Sequence, residues 1–222
     1  MENRVKCLLY GALVFSSLAF LFFVIGFSTP HWLESDDRYI TVSHFVRLGL
    51  WEACFNQWTY YKDYTGKTYD GCWWIFSYEY RPIWQWLNPA WFLGVQVVMT
   101  LTMIAEGVSL LLLILFVIGC CPGKKNYFAL FFLAGLTIIS GLLTACCTII
   151  FGAKSVIDRQ WLENPDQNYL SWSFGMIVLS GFCILFSGMC VLVAAMQVRI
   201  ESRYREPEPY EGYHMKPAST HY

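Results

Sequence analysis

Long apolar runs alternate with polar stretches along this chain, and four of the runs are long enough to cross a bilayer. Residues 7–28 carry no charge, 91–119 carry only Glu106, and neither 127–153 nor 171–198 carries any. A span needs roughly 20 apolar residues, and without water to satisfy its backbone groups it must be helical unless it belongs to a closed barrel. The pattern predicts helices over about 7–28, 89–119, 127–153 and 171–198, joined on one side by loops 29–88 and 154–170 and followed by a tail, 199–222. The first run lacks the small-x-small site of a cleaved leader, so it is expected to be a retained helix.

Between the first two spans the period changes from helical to alternating. Ile40, Val42, Val46, Leu48 and Leu50 fall on one face and Thr41, Ser43 and Arg47 on the other, broken only at His44, as in a half-buried strand. Trp58, Tyr60 and Tyr69 then flank a polar, glycine-containing reversal, Lys62 to Lys67, with hairpin character centred near Asp63. Trp73, Trp74, Trp84, Trp86 and Trp91 suggest an aromatic belt at the water boundary, and Asn88-Pro89 reads as a helix N-cap followed by a first-turn proline. Trp32, two residues after Pro30 at the first helix exit, could be another belt residue. The loop 154–170 is too short for a domain; it could add a strand edge to the sheet or present Trp161 as an aromatic tip.

Composition places the chain in a membrane: 56% of its 222 residues are hydrophobic, 14% are charged, and a net charge of -1 gives no basis for binding nucleic acid. Placing both termini inside puts Arg4, Lys6, Lys124, Lys125, Arg199, Arg203, Arg205 and Lys216 in short cytoplasmic segments, which the positive-inside rule favours. In that orientation seven of the nine cysteines lie in helices or at their inner edge, and only Cys54 and Cys72 face the oxidising side, where they can pair only with each other. Two free thiols are the alternative. If Cys54 lies opposite Cys72, the bridge staples the base of the hairpin, contributing about 3 kcal/mol.

Other residues offer weaker signals. Glu106, in mid-span, is a functional candidate by default, or else a protonated acid bonded to a hydroxyl such as Thr137, Ser140 or Thr144. Gly141 with Ala145, and Gly181 with Gly188, place small residues on one helix face for close packing. Cys120 and Cys121 beside Lys124 and Lys125 suit reversible palmitoylation at the membrane lipid surface. The tail from Arg199 onward is charged and proline-containing and is expected to be disordered; its end, Thr220-His221-Tyr222, has the form a PDZ scaffold protein reads. No metal motif, phosphate loop or paired intramembrane ionisable residues support an enzyme, a transporter or a bound cofactor.

Together, Trp32, Gly49-Leu50-Trp51, Cys54, Cys72 and Arg81 resemble the signature of the claudin family, a Trp, then GLW, two cysteines and an Arg in the first outer loop of a four-helix protein. The resemblance implies one four-span membrane domain, an all-α four-helix bundle carrying a small extracellular antiparallel β-sheet, with Trp32, Gly49, Leu50 and Trp51 anchoring the sheet to the bundle. It further implies lateral plasma-membrane junctions, where like or related claudins of the same and the opposing membrane polymerise into a paracellular barrier or charge-selective pore. Glu52, Lys62, Asp63, Lys67, Asp70 and Glu79 are then the candidates for selectivity; the first loop holds seven acidic and five basic residues, a bias of two. The wide cysteine spacing and the absence of an aromatic-Asn-Pro motif directly after the third helix depart from the vertebrate pattern and suit an invertebrate septate-junction claudin. An auxiliary subunit of a channel or receptor, like the gamma-subunit relatives, is the alternative function. The absence of any Asn-x-Ser/Thr acceptor argues mildly against it.

Overall fold

The computed structural model describes residues 2–36, 44–62, 66–119, 126–162 and 165–205. Four long helices, α1 (Glu2–Ser28), α3 (Ala90–Ile118), α4 (Asn126–Ile157) and α5 (Trp172–Arg205), are each long and apolar enough to cross a membrane. A short helix, α2 (Trp84–Leu87), precedes α3. Five strands form one antiparallel sheet: β1 (Leu33–Ser35), β2 (His44–Leu48), β3 (Glu52–Thr59), β4 (Thr68–Trp74) and β5 (Asn168–Leu170), in the order β4-β3-β2-β1-β5. β1 follows α1 almost directly and β5 leads into α5, so the sheet caps the bundle end opposite the start of α1.

The helices pack through small residues. On α5, Ser173, Ser180, Ser187 and Ala194 recur every seventh position and are fully buried, facing Gly26, Ala19 and Ala12 at the same interval on α1. Ser180 Oγ donates to the Ala19 carbonyl at 2.8 Å and Ser187 Oγ to that of Ala12 at 2.9 Å. A seven-residue interval keeps one seam facing its partner along a left-handed crossing, and small side chains let the backbones approach. At the α4–α5 contact, a Cβ on Gly141 would come within 2.7 Å of Leu185, and one on Gly188 within 2.7 Å of Ile138.

Several expectations are corrected. The helix α3 is capped by Pro89, whose carbonyl accepts from Phe92 and Leu93, while Asn88 closes α2 through its N–H on Trp84. Pro89 is itself extended, with ψ 158, so helical backbone starts only at Ala90 and the N-cap falls one position later than expected. In β2 it is Phe45, not Val46, that is buried with Leu48, because a bulge between Phe45 and Arg47 resets the alternation. Ile40 and Val42 lie outside the described residues. Of the five belt tryptophans, Trp84, Trp86 and Trp91 are half-buried against the protein core: Trp86 stacks on Trp58 with centroids 5.0 Å apart, and Trp91 packs edge-on to Trp161 at 4.7 Å. Only Trp73 and Trp74 of the five are largely exposed. Trp161 is no tip either; it is buried, and its indole donates to the Leu87 carbonyl at 3.1 Å. Beyond residue 198, α5 continues to Arg205, so the tail begins as helix rather than coil.

Glu106 is fully buried, but not hydrogen-bonded as expected. Thr137, Ser140 and Thr144 each donate to a carbonyl of their own helix, leaving neither Glu106 oxygen with a partner among the described residues. A hydroxyl one turn above a helical carbonyl satisfies itself locally.

Candidate functional site

The sheet is held to the bundle by the turn between β2 and β3. Gly49 lies so close to the α1–β1 connection that a Cβ there would meet Pro30 Cα at 2.5 Å and the Thr29 carbonyl at 2.8 Å. Its N–H closes the turn on the Glu52 carbonyl at 2.8 Å. Leu50 is fully buried, and its carbonyl accepts from the buried Gln96 amide of α3 at 2.6 Å. Trp51 packs edge-on against Phe27 of α1 at 5.2 Å. Trp32 is fully buried, donates to the Gly26 carbonyl at 2.7 Å, and lies edge-on to Phe151 of α4 and Phe174 of α5. These four residues therefore touch or bond to all four spans. Arg81, the remaining signature residue, stands exposed in the 3-10 turn before α2 and takes no part in that anchor.

Cys54 and Cys72 are disulfide-bonded and directly opposed in the β3–β4 register. Their pairing is one step of a row that crosses every strand: Cys72 opposite Cys54, Cys54 opposite Arg47, Arg47 opposite Glu34, and Glu34 opposite Tyr169. The side chains of the row also touch. Arg47 Nε donates to Cys54 Sγ at 3.3 Å, Nη2 approaches Cys72 Sγ at 3.7 Å, and Nη1 lies 3.5 Å from His31 Nε2. His31 Nδ1 bonds to one Glu34 oxygen, and the Tyr169 hydroxyl donates to the other at 2.8 Å. Burial pushes the Glu34 carboxyl up, but hydrogen bonds from His31, Tyr169 and Ser171 with the electrostatic pull of His31 outweigh it and hold it below its ordinary value of 4.5. His31, Glu34 and Arg47 had no role in the sequence reading beyond Arg47's place on a polar face. The alternation of polar residues marks the face but not the cross-strand partners, which depend on the bulge.

The disulfide holds the hairpin base, and above it the hairpin changes pitch. Between Phe55 and Trp58 two residues of β3 oppose one of β4, with Gln57 in left-handed backbone (φ 43). The Asp70 carboxylate accepts from the Gln57 N–H at 3.3 Å, so Asp70 has a structural role at the bulge as well as an exposed charge. Lys67 pairs with Glu79 at 2.8 Å and lies over the Tyr69 ring, so these two candidates neutralise each other. Lys62 is exposed over the Tyr61 ring, whose hydroxyl holds the ammonium above its ordinary range. The Glu52 carboxylate lies within 4.8 Å of both bonded sulfurs, a grouping with metal-ligand spacing whose thiols are already consumed in the disulfide. Asp63, Cys120, Cys121, Thr220, His221 and Tyr222 lie outside the described residues.

Residues 17–193 match a family model described as PMP-22/EMP/MP20/Claudin tight junction. No curated protein matches the chain. The family match takes in α3 and α4 whole, the second half of α1, α5 as far as residue 193, the whole five-stranded sheet, its disulfide and its glycine turn; the chain belongs to the PMP-22/EMP/MP20/Claudin tight junction family of multi-pass membrane proteins.

Proposed function

We propose that this protein is a structural component of cell–cell junctions, with its sheet outside the cell and both termini cytoplasmic, and that it assembles with like or related claudins into a paracellular barrier or charge-selective pore. The observation that carries this proposal is a disulfide-stapled sheet joined to every span and ending in an edge strand, β4, which pairs on one side only, with β3, and whose seven residues are almost all exposed. A sheet held so firmly suits a load-bearing adhesive surface better than a flexible ligand-binding loop. The basic residues near the two ends of the chain and the two oxidised cysteines in the sheet support the orientation.

Asp70 is the selectivity candidate best placed on that surface. It is exposed on β4 and forms no ion pair among the described residues, whereas Lys67 and Glu79 cancel. Thr220-His221-Tyr222 would recruit a PDZ scaffold, and Cys120 with Cys121 would carry palmitate at the inner lipid surface.

The test is expression in an epithelial sheet that lacks it, with flux of small charged and neutral tracers measured across the monolayer. The expected result is concentration of the protein at lateral contacts and a changed tracer flux. Unchanged flux with the protein spread over the whole cell surface, or following one ion channel, would reject the junctional role.

A further inference from the structure

Where α1 leaves the apolar zone, the chain forms a half-open pocket of about 140 Å³, lined by Ser28, Thr29, Pro30, Trp51, Glu52 and Trp74. Its chemistry is unusual for a surface hollow. Two indoles and one carboxylate line it, and none of its lining residues is basic. Glu52 and Trp74 are direct cross-strand partners at the end of the β3–β4 ladder, so their side chains leave the same face side by side. Phe76 supports both indoles, its ring centroid lying 6.3 Å from that of Trp51 and 6.0 Å from that of Trp74. Glu52 has no ion-pair partner among the described residues, and the nearby cation, Arg47, is engaged by the two sulfurs and His31.

Aromatic walls with an uncommitted carboxylate favour a cation, and the missing lysine or arginine disfavours a phosphate or carboxylate ligand. A quaternary ammonium fits better than a primary one. It is weakly hydrated and needs no hydrogen-bond acceptors, which the indole faces do not provide, and indole faces attract it through their quadrupole. The volume lies well below the roughly 300 Å³ at which drug-sized ligands are accommodated, so a headgroup can enter but a whole molecule cannot. Ser28 is the last residue of the first apolar span and also lines the pocket, so the mouth opens beside the sheet-side end of that span, within reach of a lipid headgroup. We propose that this pocket binds the trimethylammonium group of a choline lipid, docking the sheet onto the bilayer at Trp51, Glu52 and Trp74.

The test uses the full chain in mixed micelles holding equal amounts of phosphatidylcholine, phosphatidylethanolamine and phosphatidylglycerol, with retained lipid read by native mass spectrometry. The protein is expected to retain phosphatidylcholine about tenfold over phosphatidylglycerol, with phosphatidylethanolamine between them. Trp74→Ala and Glu52→Gln should each abolish the preference, while Trp74→Phe should keep most of it. Since Trp74 is 58% exposed, its replacement need not disturb the core. Oxidised migration on a non-reducing gel and an unchanged melting temperature identify folded variants. Displacement of the retained lipid by tetramethylammonium chloride, but not by sodium chloride, would show that a soluble quaternary ammonium also suffices; failure of displacement with the preference intact would assign the site to lipid alone. Equal retention of all three lipids by the unaltered protein, or a preference unaffected in both Trp74→Ala and Glu52→Gln, would overturn the proposal.

Discussion

Gly49 shows how one missing side chain places a domain. Its hydrogen atom occupies space where a methyl would sit 2.5 Å from Pro30 Cα, and the neighbouring atoms are backbone that cannot step aside. Gly49→Ala should therefore cost about 3 kcal/mol or more, visible as a lower melting temperature of detergent-purified protein and reduced delivery to the cell surface; a wild-type melting curve would contradict the close approach. Glu34 makes a different kind of prediction. Its folded carboxyl is held below 4.5, so it contributes stability fully above the unfolded value, and that contribution disappears as pH falls through the lower folded value. In acid titrations below about pH 4.5, melting temperature should fall less steeply for Glu34→Gln than for the unaltered protein, and equal slopes would remove Glu34 as the acid-sensitive group. Gly49 was legible in the sequence because it sits in a motif. Glu34 and Arg47 were not, since nothing in a polar alternation tells which charge on one strand faces which on the next once a bulge has shifted the count.

Among the elements, the spans were legible because hydrocarbon admits no unsatisfied backbone and the apolar runs are uninterrupted. The aromatic core at the sheet end was harder to read. A tryptophan beside a span is equally at home in a lipid belt or a protein core; Trp161 is buried in the core and Trp86 and Trp91 are half-buried against it, where α2 and the loop before β5 meet. The α1–α5 seam left a trace that a search for seven-residue spacing could have found, in Gly26, Ala19 and Ala12 against Ser173, Ser180 and Ser187. Ala19→Leu should force these helices apart at a cost of about 1–3 kcal/mol, measured by unfolding in detergent and denaturant mixtures, whereas Leu21→Ala, on an exposed face of α1, should change little. Comparable losses at both positions would mean that the seam is not where α1 derives its stability.

At the scale of the whole molecule, the proposed junctional role turns on what the exposed sheet carries. Asp70→Asn keeps an oxygen to accept from the Gln57 N–H, so the bulge should survive while the charge disappears. If Asp70 biases passage, monolayers expressing Asp70→Asn should show a sodium-to-chloride permeability ratio lower by about twofold with unchanged flux of neutral tracers; each twofold change corresponds to roughly 0.4 kcal/mol. An unchanged ratio would leave selectivity to other residues. The row from Cys72 to Tyr169 gives force a lateral route across the sheet. A pull applied to the hairpin tip does not have to travel along the backbone of its own loop: it can pass sideways through a covalent bond, a guanidinium, an imidazole, a carboxylate and a phenol, and arrive at the roots of the first and last helices. In the proposed junctional role, tension between neighbouring cells would then be shared with the two spans joined by the Ala12–Ser187 and Ala19–Ser180 contacts rather than carried by the hairpin alone.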